Sequence, residues 1–203
     1  MTDLNAWGGR WRRRVGLLGG SFNPAHDGHR HISLAALSQL GLDEIWWLVS
    51  PQNPLKPANG MAAFNDRLVT ARRVARHPRI RVTGIEAALG TRFTIDTLTT
   101  LLRRFPKVRF VWLMGADNLA QIPRWRRWAS IFKSLPVAVF DRSPYSYHAL
   151  SGPAAHRFRA FRRMARQARR LALEAPPAWS YLRQRRHPAS ATDIRRDRRE
   201  RTS

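Results

Sequence analysis

Hydrophobic residues in this chain form short runs separated by segments with helical spacing. Residues 15–18 are an apolar run, and Glu44–Val49 (EIWWLV) is a β-prone run with almost no alternation. Both runs predict strands, and the second is typical of a strand buried on both faces of a parallel sheet. Three more runs, at residues 80–85, 107–117 and 136–140, predict further strands.

Amphipathic segments lie between these strands. Residues 33–40 carry an apolar helical face that ends before Gly41, a typical C-terminal cap, and residues 66–77 carry another that ends before Pro78. Thr91 and Thr94 are N-cap candidates for a helix with Asp96 in its first turn. An amphipathic helix is also predicted over residues 153–173.

This alternation predicts an α/β protein with a Rossmann-like parallel sheet of five or six strands and helices on both faces. Ligands of such sheets bind beyond the carboxyl ends of the strands. At 203 residues, the chain is long enough for one domain with a substantial core. We expect a basic N-terminal extension over residues 1–14, one domain over 15–196 and a basic tail over 197–203.

The turn after the first strand has the chemistry of an anion site. Gly19 and Gly20 allow close approach of the backbone because they lack a Cβ, and the N-terminus of the following helix favours negative charge. His26 and His29 lie three residues apart near the first helical turn, where both rings can face one bound group. The pattern predicts a phosphate site with two imidazoles.

The turn has two alternative interpretations, nucleotide binding by a known glycine motif and zinc binding. The spacing matches neither the dinucleotide fingerprint nor a P-loop, because the Lys and hydroxyl pair of a P-loop is missing. Zinc binding by His26, His29 and His31 requires three ligands on one face, and His31 is two residues from His29. We therefore expect no protein-bound metal.

The segment GGSFNPAHDGH resembles the G-G-x-F-x-P-x-H-x-G-H signature of the nucleotidylyltransferase superfamily. From about residue 15 to 195 the chain is similar to its nicotinate-nucleotide adenylyltransferases. The resemblance implies joining of nicotinate mononucleotide to the AMP part of ATP, a step of NAD biosynthesis, with His26 and His29 as catalytic residues. It implies an ATP site that includes the residues of the turn, namely Gly19, Gly20, Ser21, Phe22, His26 and His29, and a substrate contact at Asn23.

Polar residues follow the other predicted strands. Lys56, in the segment SPQNPLKP, is placed to reach a phosphate. Family members carry a similar P-x-x-P-x-K loop at this place. Residues 91–98 (TRFTIDTL) resemble the family's T-x-x-T-[DE]-T-L segment, which implies a substrate contact at Thr94. Asp117 matches G-x-D, which implies a contact to the ATP ribose, although it can instead cap a helix that starts at Asn118.

Aromatic and basic residues complete the implied site. Trp125 matches an aromatic that stacks on the pyridine in the family, but Arg126 replaces a second aromatic that the family often has. Arg142 follows the strand at residues 136–140, at the ligand edge, and is a further substrate-binding candidate. PASATDIRR resembles the phosphate-binding I-S-S-T-x-I-R motif, with two places changed to alanine; its implied ATP contacts are Ser190, Thr192 and Arg195.

The net charge of +24 is unusual, and residues 151–203 hold 15 basic against 4 acidic side chains. Such a charge also steers ATP and a mononucleotide, so we expect these substrates, with Mg²⁺ held mainly by the ATP phosphates, and no nucleic-acid partner. Two alternatives stay open: phosphopantetheine adenylyltransferase on the same fold, and a basic RNA-binding protein.

With no signal-peptide or membrane-span pattern, we expect a cytoplasmic protein with no membrane partner. The sequence does not indicate its oligomeric state.

Overall fold

The computed structural model describes residues 8–9, 11–51, 60–141 and 146–184. Within these residues, parallel strands form one seven-stranded sheet in the order β3-β2-β1-β4-β5-β7-β6. The strands are β1 (Arg13–Gly20), β2 (Glu44–Val49), β3 (Ile80–Thr83), β4 (Val108–Gly115), β5 (Val137–Phe140), β6 (Arg162–Arg163) and β7 (Trp179–Leu182).

The central strand is β1, which is paired on both edges. Val15 lies opposite Glu44 of β2 on one side and opposite Phe110 of β4 on the other. From β1 the chain builds outward through β2 and β3, and then returns to the other side of β1 to add β4 and β5. This reversal beside β1 is the place where open α/β sheets leave a crevice for a ligand.

Helices cover both faces of the sheet, as expected. Trp46 and Trp47 are adjacent on β2 and fully buried, and they belong to core clusters on opposite faces. The helices are α1 (Asp27–Gln39), α2 (Phe64–Ala75), α3 (Ile85–Leu89), α4 (Thr94–Arg104), α5 (Ala116–Gln121), α6 (Trp128–Ser134), α7 (Ser146–Ser151) and α8 (Pro153–Arg157), with 3-10 segments at Ile122–Arg124, Arg159–Phe161 and Ala165–Leu173. No helix in the described ranges is long and apolar enough to span a bilayer.

The prediction of five or six strands is corrected to seven by two strands that the sequence analysis did not identify. The first, β7, is a buried aromatic segment, WSYL, that pairs with β5. The second, β6, has two arginines and pairs with β7 at the sheet edge. β6 is too short and too polar to produce a strand pattern, whereas the aromatic residues of β7 do favour a strand.

The single helix predicted over residues 153–173 is wrong. Its apolar residues divide between the two faces of the sheet: Phe158 stacks on Phe132 at 4.5 Å in one core cluster, whereas Ala168 and Leu171 belong to the other. One straight helix cannot pack on both faces, so the segment breaks into α8, two 3-10 segments and β6.

Two smaller corrections concern helix ends and faces. The N-cap of α4 is Phe93 rather than Thr91 or Thr94, and the Thr91 hydroxyl is 2.8 Å from that of Thr97. The apolar face predicted over residues 66–77 excludes Val69, which is 46% exposed. The start of β1 at Arg13 also lies two residues inside the segment predicted as an N-terminal extension.

Candidate active site

The two glycines at the end of β1 have different surroundings. A Cβ built on Gly19 would lie 2.4 Å from the indole ring of the buried Trp112, so Gly19 is required for packing between β1 and β4. A Cβ on Gly20 would meet the Phe22 ring at 3.5 Å, an ordinary contact distance. Side-chain packing therefore explains Gly19, whereas a Cβ at Gly20 would fit without a clash.

Phe22 anchors the turn that follows. Its backbone has a positive φ of 47°, which is uncommon for a bulky residue, and its side chain is 2% exposed. The ring stacks on Trp47 of β2 with centroids 5.0 Å apart and lies 4.7 Å from the His29 ring. Stacking on the sheet thus stabilises a strained backbone beside the histidines.

His26 and His29 lie together at the N-terminus of α1. His26 is the N-cap residue and His29 is in the first turn, and their ring centroids are 3.9 Å apart. The backbone N–H of His26 donates to His29 Nδ1 over 3.2 Å. In the neutral ring this bond assigns the proton to Nε2, which leaves an N–H donor on the far side of the ring.

A hydrogen-bonded chain holds this turn of α1 against the sheet. Trp47 Nε1 donates to the hydroxyl of the fully buried Ser33 over 2.7 Å, and that hydroxyl donates to the His29 carbonyl over 2.8 Å. The first of these bonds is buried and the second is part-buried, and together they hold His29 in place over β2. The sequence analysis did not assign a role to Ser33.

Asp117 lies at the same edge of the sheet. β1 and β4 are in parallel register, with Leu18 opposite Leu113, and α5 starts directly after β4. The helix begins at Ala116 and its N-cap is Gly115, so Asp117 is in the first turn and is not the cap of a helix starting at Asn118. A carboxylate is favourable there, which the geometry explains without a ligand.

The predicted mononucleotide side contains two aromatic residues and an arginine. The ring of Trp125 packs edge to face on that of Trp112, with centroids 6.4 Å apart. Trp112 is also the residue whose ring lies against Gly19. Thr94 is the first residue of α4 and is half-buried. The exposed Arg126 places its guanidinium 4.6 Å from the ring centroid of Phe93, the residue that precedes Thr94.

Glu86 is a buried carboxyl group near the ends of β2 and β3. Burial raises the pKa of Glu86 to about 7, although hydrogen bonds from Thr97 and Ser50 lower it. Its Oε1 accepts a hydrogen bond from Thr97 Oγ1 over 3.4 Å. Thr97 lies on α4, as does Thr94. Glu86 thus connects the end of β2 with the helix of the mononucleotide side.

Asn23 contacts the connection between β2 and α2. Its amide donates to the carbonyl of Gly60 over 3.1 Å and accepts from the N–H of Ala62 over 3.3 Å. The remaining predicted site residues lie outside the described residues: Lys56, Arg142, Ser190, Thr192 and Arg195. In the described ranges, no group of three or more His, Cys, Asp or Glu side chains could hold a metal ion.

Sequence reasoning missed Arg67 of α2, which is 2% exposed and donates to the carbonyl of Ser21 next to the glycine turn. A signal for it was present. Arg67 is four and eight residues before the buried Ala71 and Ala75, so it lies on the buried side of the helix. A cation on such a face is rare without a specific partner.

A comparison with family models identifies the chain. A model described as cytidylyltransferase-like matches residues 17–197. The chain belongs to this family. Curated cytidylyltransferase-like relatives include one from Parvibaculum lavamentivorans that is 53% identical over 182 residues, 90% of each chain. Another, from Bradyrhizobium sp. strain ORS 278, is 50% identical over 182 residues, 90% of this chain and 95% of its own. Each is named "Probable nicotinate-nucleotide adenylyltransferase".

Solved structures share the fold of this cytidylyltransferase-like chain. The nicotinic acid mononucleotide adenylyltransferase of Plasmodium falciparum, complexed with NaAD, superposes with a TM-score of 0.68. The match covers 91% of this chain and 83% of that chain at 15% identity. The same protein complexed with APC gives a TM-score of 0.66 at 14% identity. These likenesses support the Rossmann-like architecture.

Proposed function

We propose that this protein is a nicotinate-nucleotide adenylyltransferase, which joins nicotinate mononucleotide to the AMP part of ATP. The observation that carries the proposal is the pair of imidazole rings 3.9 Å apart at the end of the central strand, beside the reversal of strand order. It agrees with the names of relatives that are 50% and 53% identical over 90% of the chain.

In the proposed reaction, a phosphate oxygen of nicotinate mononucleotide attacks the α-phosphorus of ATP in line. A new P–O bond forms, the bond from the α-phosphorus to the bridging oxygen of the β-phosphate breaks, and pyrophosphate leaves. The attacking phosphate is already an anion, so no protein base or nucleophile is required. The protein positions the reactants and stabilises charge on the transferring group.

The histidines have the chemistry for that task. His29 Nδ1 already accepts from the His26 backbone, so its Nε2–H is the group that can donate to a phosphate oxygen. The ring of His26 is in contact with that of His29 and is proposed as the second donor. Gly20, with space for approach, and the buried Ser21 belong to the same proposed phosphate site.

The other proposed contacts follow the strand ends. Asp117 is proposed for the ATP ribose, Thr94 and Trp125 for the mononucleotide, and Asn23 for positioning at the substrate side. The predicted roles of Lys56, Arg142, Ser190, Thr192 and Arg195 stay predictions, as do the cytoplasmic location and the three-part division of the chain. We propose that Mg²⁺ enters with the ATP phosphates and supplies charge neutralisation there.

The direct test is to measure pyrophosphate release and dinucleotide formation with ATP and three acceptors: nicotinate mononucleotide, nicotinamide mononucleotide and phosphopantetheine. We expect the dinucleotide with nicotinate mononucleotide and no product with phosphopantetheine. Product with phosphopantetheine alone would instead assign the sister activity. No pyrophosphate with any acceptor, together with RNA binding that weakens steeply with salt, would favour the RNA-binding alternative.

A further inference from the structure

Arg67 is a buried cation whose hydrogen bonds all go to backbone carbonyls. It is 2% exposed. Nη1 donates to the carbonyls of Ser21 and Ser50, each over 2.7 Å, Nη2 donates to Pro51 over 2.7 Å, and Nε donates to Ala62 over 3.0 Å. The guanidinium fork therefore uses donors on all three of its nitrogens.

A buried charge of this kind is costly unless something requires it. Among the described residues, no acidic side chain pairs with Arg67, and its remaining contact is the Phe64 ring, 5.5 Å from its guanidinium carbon. Burial lowers the pKa of Arg67 from its usual value. An apolar side chain would avoid that penalty but would leave four carbonyls without these donors.

The four carbonyls belong to two different connections. Ser21 is in the turn between β1 and α1, whereas Ser50, Pro51 and Ala62 are at the two ends of the connection between β2 and α2. Arg67 therefore joins the turn beside the histidines to both ends of the next connection.

Two other contacts bring the same connections together. The Ser50 N–H donates to the Gly20 carbonyl over 2.9 Å, and the Asn23 amide bonds to Gly60 and Ala62. Each of these contacts reaches one end of the β2–α2 connection, whereas the Arg67 side chain reaches both ends and the turn.

We propose that Arg67 is a positioning residue for ATP, which fixes the Ser21 turn against the β2–α2 connection so that the turn can receive the triphosphate. This inference rests on the proposed function for the reaction but concerns ATP binding alone. Removing the fork leaves the histidines in place and lets the turn shift relative to β2. In the described structure, Arg67 makes no hydrogen bond or ring contact with Thr94 or Trp125, on the proposed mononucleotide side.

The test compares Arg67→Lys and Arg67→Gln with the wild-type protein. Lys keeps the charge but has one nitrogen in place of the planar fork, and Gln is neutral. The control is Arg73→Lys, on the same helix but exposed. The measurements are the Kd of an ATP analogue with a methylene group between its α- and β-phosphates, the KM of each substrate, and kcat.

For Arg67→Lys we expect the analogue Kd and the KM of ATP to rise about tenfold or more and kcat to fall, while the KM of nicotinate mononucleotide changes by less than about twofold. Arg73→Lys should match the wild type in all four quantities. An equal rise in the KM of both substrates would overturn the inference. Unchanged binding of the ATP analogue by folded Arg67→Lys and Arg67→Gln would also overturn it.

Circular dichroism and the Tm establish that each variant is folded at the assay temperature. If neither Arg67 variant folds, Arg67→Met is measured instead, because it fills similar space without burying a charge. It should raise the analogue Kd about tenfold or more, and no change would overturn the inference. Because analogue binding requires no acceptor, it separates this inference from the proposed function, which fails instead if the wild type binds the analogue but forms no dinucleotide.

Discussion

His29 and Glu86 are ionisable residues near the ends of neighbouring strands, and their surroundings give them different roles. His29 is half-buried at the N-terminus of α1, and its Nδ1 accepts a backbone hydrogen bond, which places the proton of the neutral ring on Nε2. Glu86 is 9% exposed and receives hydrogen bonds from Thr97 and Ser50. His29 is therefore suited to contact a ligand, whereas Glu86 is suited to join α4 to the end of β2.

For His29→Ala we predict a fall in kcat of at least about a hundredfold, the scale for losing one transition-state donor. Initial rates of pyrophosphate release measure it. His156→Ala, which removes an exposed imidazole on α8, is the matched control and should keep the wild-type rate. Near-normal turnover in His29→Ala would remove the proposed catalytic role.

Glu86 predicts a pH dependence of stability. Its pKa is raised from 4.5 to about 7, so between these values the folded state binds more protons than the unfolded state. The free energy of unfolding therefore falls as pH rises through this window, by on the order of 3 kcal/mol at most. Glu86→Gln, which cannot ionise, should have a higher Tm than the wild type at pH 8, and this advantage should shrink by pH 5.

Thermal unfolding monitored by circular dichroism at both pH values measures the effect. A constant difference between Glu86→Gln and wild type across the pH range would contradict the prediction.

Among individual residues, the glycine–histidine motif predicted those whose contacts are with residues nearby in the chain. Phe22, His26 and His29 are within seven residues of one another, and the structure brings their rings together. Arg67 and Trp112 were missed because their roles depend on Ser21 and Gly19, which are distant in sequence and become neighbours only when strands pair.

Among the elements, the buried strands were the easiest to predict. β2 was predicted with its observed bounds because five consecutive apolar residues after Glu44 are typical of a strand covered on both faces. The 153–173 segment was not, because its apolar residues have helical spacing but pack on opposite faces of the sheet. Spacing along the chain does not show which face of the sheet a residue will reach.

The end of β1 predicts a contrast between two neighbouring substitutions. Gly19→Ala would place its Cβ 2.4 Å from the Trp112 ring, so we expect a loss of about 1–3 kcal/mol in stability from overpacking. Gly20→Ala meets nothing closer than 3.5 Å, so it should cost little stability but reduce ATP affinity if the triphosphate approaches there.

Chemical denaturation and binding of the ATP analogue measure the two effects, and each variant is the control for the other. Equal destabilisation by both changes would mean that Gly20, too, is a packing glycine. Unchanged ATP affinity in a stable Gly20→Ala variant would remove that glycine from the proposed phosphate site.

The approach of Arg126 to α4 predicts how the acid substrate is distinguished from its amide. Its guanidinium is stacked on Phe93, next to Thr94, and is exposed, so it can pair with the nicotinate carboxylate. Arg126→Ala should raise the KM of nicotinate mononucleotide about fivefold, as for the loss of ~1 kcal/mol from an exposed charge pair. The KM of nicotinamide mononucleotide should not change.

Steady-state kinetics with both mononucleotides test this prediction. Arg127→Ala removes the adjacent exposed arginine and should affect neither substrate. An equal increase in both KM values would assign Arg126 a general electrostatic effect instead of recognition of the carboxylate.

For the whole molecule, the location of the site follows from strand topology and not from cavity size. A cavity of about 620 Å³ is lined by residues near the amino ends of β1 and β4, including Arg12, Arg14, Lys107 and Arg109. The histidine pair lies at the carboxyl end of β1. Because the strands are parallel and their order reverses beside β1, the carboxyl edge is where a ligand is expected.

The described part of the chain has no cluster that could hold a metal without substrate, and this predicts the effect of metal removal. EDTA should abolish pyrophosphate release, and added Mg²⁺ should restore it, if the metal enters with ATP as proposed. The Tm of the nucleotide-free protein should change by less than about 1 °C, since nothing that stabilises the folded state is removed. A substantial loss of Tm in EDTA would instead indicate a metal bound to the protein.

Local chain chemistry was sufficient to predict the α/β class, the buried strands, the glycine turn and the histidine pair, because each depends on residues close together along the chain. The number of strands, the division of residues 153–173 between two faces, and the role of Arg67 required the folded structure. Each depends on which distant segments become neighbours: β7 beside β5, Phe158 against Phe132, and Arg67 below Ser21. Long-range packing sets these contacts, and hydrophobic periodicity does not encode them.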